Sequence, residues 1–171
     1  MGQISIAYGA ILGSRWSTTE PTLLQVRNLK VIEQLPSTDT WPFLTREMFA
    51  LAGTNPESGH YRQQVIHFGA SFKCLEWDWA EWLGKFEDLL SKLFWDEVML
   101  HLHSEAIGHY DYYYESLIPL NFYAQTPFTP NQEWQLIGGP RYFDYHDHAK
   151  CLEQDGKTWR YSKGEWSLVL D

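Results

Sequence analysis

Between residues 66 and 93 the spacing of apolar residues changes from every second position to every third or fourth, and few folds accommodate that change. Ile66, Phe68, Ala70, Phe72 and Cys74 alternate with His67, Gly69, Ser71 and Lys73, the period of a strand with one face in a core. Cys74 is therefore expected inside. Trp79, Trp82, Leu83, Phe86, Leu89, Leu90 and Leu93 then follow the spacing of an amphipathic helix over about 77–94, with Glu81→Lys85 and Asp88→Lys92 as i,i+4 pairs on its other face. Each apolar face must be buried against something. A mainly antiparallel sheet with the helix packed on one face, an α+β fold, satisfies both.

The rest of the chain fits one globular domain over 1–171. Residues 3–12 are short on breakers and rich in β-branched and aromatic residues, as a first strand. Thr18 or Thr19 is placed to cap a helix that holds Glu20 and Pro21 in its first turn and stops before Pro36. Its apolar residues are loosely spaced: Leu24, Val31 and Leu35 share a stripe that Leu23, Val26, Leu29 and Ile32 broaden. Pro36, Pro42, Gly53, Asn55, Pro56 and Gly59 mark 36–60 as loop-rich, with one helical turn around 45–51. Near the C-terminus, Asp155-Gly156 and Lys163-Gly164 punctuate short runs that predict a meander carrying Trp166, Leu168 and Leu170 on one face.

Aromatic residues make up 16% of the 171 residues. Tryptophans at helical spacing are explained by core packing, so Trp79, Trp82 and Phe86 need no ligand. The formal charge of −9 opposes a general grip on nucleic acid or an anionic membrane. Charge is also unevenly placed. From Leu93 to Pro140 there is no Lys or Arg, while Asp96, Glu97, Glu105, Asp111, Glu115 and Glu133 all fall there. No secretory signal, membrane-spanning run or CxxC pair is present, so the expectation is a cytoplasmic protein with Cys74 and Cys151 reduced.

Two features concentrate chemistry. Val98, Leu100 and Leu102 alternate with Met99, His101 and His103, and after Ala106-Ile107-Gly108 the chain resumes with Tyr110, Tyr112 and Tyr114 against Asp111, Tyr113 and Glu115. This predicts a hairpin with one apolar face and one polar face. With a loop of residues 106–108, Glu105 pairs with His109, His103 faces Asp111 and His101 faces Tyr113. The polar face then collects Glu97, His101, His103, Glu105, His109, Asp111 and Glu115, and a one-residue slip would scramble it. Residues 142–148, if extended, add His146 and His148. Two His-x-His pairs beside carboxylates supply the ligand types for zinc or another divalent metal, with His101, His103, His146 and His148 as ligands, but the spacing matches no fixed metal motif.

The first functional expectation is a non-catalytic acidic binding module without a cofactor, using Glu105, Asp111, Tyr112, Tyr113, Tyr114 and Glu115 against a basic protein partner. An acidic, aromatic, motif-poor chain is similar in general character to small inhibitors such as the immunity proteins that neutralise bacterial toxins. The alternative is a metal-dependent hydrolase built on the four histidines, with a nearby Glu or Asp as base. A third reading has exposed aromatics burying against identical copies in a homo-oligomer.

Overall fold

In the computed structural model, which describes residues 2–13, 21–51, 63–117, 130 and 132–170, the alternating segment is a strand from Val65 to Lys73 and the tryptophan helix runs from Trp79 to Leu90. The full order is β1 (Ile4–Leu12), α1 (Pro21–Glu33), β2 (Phe49–Leu51), β3 (Val65–Lys73), α2 (Trp79–Leu90), β4 (Glu97–Ser104), β5 (Gly108–Ser116), β6 (Glu133–Gly138), α3 (His148–Leu152), β7 (Lys157–Ser162) and β8 (Glu165–Leu168). The strands form one sheet, β2-β3-β1-β4-β5-β6-β7-β8, with every neighbouring pair antiparallel. The fold is α+β. Short 3-10 turns at Arg46–Met48 and Leu75–Asp78 precede β2 and α2. Thr18, Thr19 and residues 52–60 lie outside the described residues.

The core lies between α2 and one face of the sheet. Phe86 of α2 packs 4.9 Å from Phe68 of β3 and 6.3 Å from Tyr114 of β5, while Trp79 lies 5.3 Å from Tyr112. Trp79, Trp82 and Phe86 stack nearly parallel along the helix, so the 3,4 spacing does what it predicted. The helix begins at Trp79 rather than near residue 77 because the preceding residues form the tighter turn. Cys74 is also corrected: it is half-buried in the left-handed region at φ 58°. The chain turns there from strand into helix, and the inward position passes to Leu75, which is fully buried.

The loose periodicity of α1 has a physical explanation. Leu24, Asn28 and Ile32 are its buried stripe, and the middle position is polar. Asn28 donates to the Phe94 carbonyl (2.9 Å) and to Gln64 Oε1 (3.0 Å), and accepts from the Phe94 amide (2.8 Å). A buried amide with its hydrogen bonds made holds the helix to the segment before β4 without an unbroken apolar stripe.

In β1 the small residues Ser5, Ala7 and Gly9 face the core while Ile4, Ile6 and Tyr8 face out. Gly9 is where β1 comes closest: a Cβ there would overlap the Met99 carbonyl oxygen and lie 2.9 Å from Phe68 Cζ. Gly9→Ala should therefore destabilise the protein by about 1–3 kcal/mol, the range for atoms forced into a packed core. Chemical denaturation measures it. A variant as stable as the wild type would mean that the β4 backbone at Met99 and the ring of Phe68 are not held against β1.

Candidate functional site

The β4–β5 hairpin forms with the expected faces and a different register. The loop is Glu105-Ala106-Ile107, and Ser104 pairs with Gly108, His103 with His109 and His101 with Asp111. Gly108 has φ +95°. Its freedom in that region lets it close a three-residue loop, which moves the turn one position earlier than 106–108. Each pairing shifts by two residues, an even step, so no side chain changes face.

With α2 on one side, the other side of the sheet is open among the described residues. The ladders align its residues in rows. One row reads His67, Ala10, Met99, Tyr113, Ile137 and Thr158 across β3, β1, β4, β5, β6 and β7. The next reads Gly69, Tyr8, His101 and Asp111, and the one beyond it Ser71, Ile6, His103 and His109. Ile4, Ile6, Tyr8, Met99, Tyr113 and Ile137 are exposed by 36–49%. On the other side of the apolar row, the row that starts at Leu12 continues as polar residues, Glu97, Glu115, Gln135 and Arg160. Glu115 accepts from Gln135 (2.8 Å), and Arg160 lies 3.7 Å from Glu133.

Of the residues expected to contact a partner, Glu105, Asp111, Tyr113 and Glu115 reach this face or its rim. Glu105, in the turn, accepts from the Ile4 amide (2.9 Å). Tyr112 and Tyr114 do not reach it: both are buried, at 1% and 0% exposure. As the even members of β5 they belong to the core face, where Tyr112 donates to the Pro140 carbonyl (2.7 Å) and Tyr114 to Glu87 (3.1 Å). Burial pushes both hydroxyls up from the ordinary tyrosine value.

The four-histidine metal set is also corrected. Residues 142–147 are not a strand, and His148 begins α3, which Asp147 caps by accepting from the Lys150 amide (3.2 Å). His148 instead borders a small cleft with Trp77, Tyr145, Ala106 and Ile107 at the hairpin's turn. Among the described residues, the group whose ligand atoms converge is His101, His109 and Asp111, all within 4.8 Å of one another. Hydrogen bonding from His101, burial opposing it and hydrogen bonding from His109 leave the Asp111 carboxyl below the ordinary carboxylate range.

A cavity of about 610 Å³ on the helical side is lined by Val31, Leu35, Leu44 and Leu89, with Asp39, Lys85, Asp88 and Lys92 at its polar edge. Its charges are committed to the fold. Lys85 Nζ donates to Asp39 (2.9 Å) and to the Thr40 (2.9 Å) and Pro42 (3.0 Å) carbonyls, which uses all three of its donors. Lys92 pairs with Asp88 at 2.6 Å. The open sheet face is the stronger candidate.

Alternation already set Met99 on the same face as His101 and His103, but Ile4, Ile6, Tyr8 and Ile137 were not legible as surface residues. A signal was present in β1, where large apolar residues alternate with Ser5, Ala7 and Gly9. Such a strand can place its small side against bulky rings. Among the described residues, no helix is long and apolar enough to cross a membrane. No protein-family model, curated protein or solved structure matches the chain.

Proposed function

We propose that the protein is a non-catalytic binding module whose open sheet face engages a basic protein partner, in the manner of an inhibitor or immunity protein that neutralises a toxin. One observation carries this reading. The stretch without Lys or Arg, from Leu93 to Pro140, contains β4, β5 and β6 at the middle of the sheet, so an exposed apolar row lies beside carboxylates with no Lys or Arg on those three strands. The apolar row supplies burial, and Asp111, Glu115 and Glu105 favour a cationic surface.

The size of the face is adequate. The six strands from β3 to β7 in sheet order hold 47 residues. At about 3.3 Å per residue and 4.8 Å between strands they present roughly 750 Å², close to the ~800 Å² that each partner contributes to a standard interface.

The test is affinity capture from the source organism with three baits: the wild type, Met99→Arg with Ile137→Arg, and Val26→Arg on α1. Wild type and Val26→Arg should retain the same basic protein and release it as salt rises, while the Met99/Ile137 variant should lose it. Equal capture by all three baits, an acidic partner, or recovery of only further copies of this chain would each overturn the reading.

A further inference from the structure

We propose that His101, His109 and Asp111 form a binding site for a first-row divalent transition metal ion. The β4–β5 register places His101 directly opposite Asp111, and His109 lies two residues before Asp111 on the same face of β5. His101 Nδ1 is 2.6 Å and His109 Nε2 2.9 Å from a single atom, Asp111 Oδ1. Three donors thus converge from two hydrogen-bonded strands, a more rigid platform than loops provide.

Ring contacts hold the donors in place. Tyr8 stacks on His101 at 5.0 Å and 30°, and His101 on His109 at 5.9 Å and 26°. Tyr8 is opposite His101 across the β1–β4 ladder, so its orientation is also set by the sheet. His103 lies beside this column, its ring 6.0 Å from that of His109, and is not one of the converging donors.

The donor set selects the kind of ion. Two imidazole nitrogens and one carboxylate oxygen suit zinc, cobalt or nickel, whereas magnesium and calcium prefer shells made wholly of oxygen. At bond lengths of about 2.0–2.2 Å, ligands around a tetrahedral ion are roughly 3.4 Å apart, so the present hydrogen bonds must lengthen by several tenths of an ångström. The side-chain exposures of 32% for His101, 44% for His109 and 68% for Asp111 leave room for that movement. Each imidazole binds the ion as the neutral ring, through the lone pair of the nitrogen that faces Asp111 and with its one proton on the other ring nitrogen; any proton beyond that one is released to solvent. Three protein ligands leave a further coordination position that opens to solvent. The site depends on the hairpin and Tyr8 alone, and stands whether or not the partner reading does.

The test is calorimetric titration of the untagged, chelator-treated full chain with zinc chloride at neutral pH. One ion per chain with micromolar affinity is expected. His109→Gln and Asp111→Asn should each weaken binding by at least the roughly 10–100-fold that loss of an outer-shell partner costs, with unchanged circular dichroism. His103→Ala and the double variant His146→Ala, His148→Ala should bind as the wild type does. The visible absorption of bound cobalt should follow the same pattern. No saturable binding by the wild type, or equal weakening in His103→Ala and His109→Gln, would overturn the site and leave a hydrogen-bonded His–Asp–His cluster.

Discussion

Glu87→Ala should destabilise the protein by about 3–5 kcal/mol, the range for stripping one partner from a buried ion pair. Glu87 is on α2, and its side chain is 6% exposed. Its two oxygens accept from Arg141 Nη1 and Nη2, both at 2.8 Å, and Oε1 also accepts from the Tyr114 hydroxyl at 3.1 Å. Arg141 in turn lies over the ring of Trp166, 4.1 Å from its centroid. One carboxylate therefore ties α2 to β5, to the segment after β6 and to β8. Removing it leaves a guanidinium that is 18% exposed without its counter-charge, together with a buried phenol that has lost its acceptor. The Arg141→Lys variant should also be weaker than the wild type, because an ammonium does not reproduce the two parallel bonds or lie flat on the indole.

A double variant separates loss of the pair from loss of packing. Glu87→Leu with Arg141→Met removes both charges, and should recover much of the stability lost in Glu87→Ala. Denaturant unfolding of the single and double variants measures this. A Glu87→Ala variant within about 0.5 kcal/mol of the wild type, the usual range for a surface change, would show that the pair is hydrated and does not join the helix to the sheet.

Trp82→Ala has a comparable expected cost, about 3–5 kcal/mol. Trp82 is 1% exposed and stacks between Trp79 at 5.2 Å and Phe86 at 5.3 Å, with the edge of Phe72 at 6.2 Å. Its indole N–H donates to the Phe43 carbonyl at 3.1 Å, so it also fastens the 36–45 segment to α2. Truncation leaves a cavity among rings that cannot all collapse into it, and leaves that carbonyl without its donor. Against a total of about 5–15 kcal/mol for a domain, the loss should appear as a large fall in the denaturation midpoint with an unchanged slope. Trp82→Phe keeps most of the ring and should cost less. Equal stability of Trp82→Ala and the wild type would remove the aromatic stack as the centre of the core.

The legible parts of the fold are those where one local period decides the outcome. Phe68 and Phe72 face the core, and Trp79, Trp82 and Phe86 follow them, because nothing else can bury those faces. The hairpin was legible in faces and not in register: alternation assigns His101, His109 and Asp111 to one side, while the freedom of Gly108 decides which residues meet. The same parity placed Tyr112 and Tyr114 inside, although residue type alone made all three tyrosines look like an interface. Residues 142–148 offered no period to test. There Asp144 accepts from the His146 amide at 2.8 Å and Asp147 caps α3, so short-range backbone bonds outweigh the extended form that a His-x-His pair invites.

By itself the sequence determined the α+β class, the buried face of α2, the two faces of the hairpin and the acidic stretch without Lys or Arg. All four follow from local periodicity or from a count of charges along the chain. Only the tertiary structure decided that β1 is inserted between β3 and β4 with Ile6 and Tyr8 outward, that His109 rather than His103 joins His101 and Asp111, and that Arg141 locks onto Glu87. These depend on contacts between residues far apart in the chain, or on a turn whose move by one position shifts every pairing by two residues. Such contacts are selected by the space left between packed rings and by the geometry of the ladder, which no local window of residues contains.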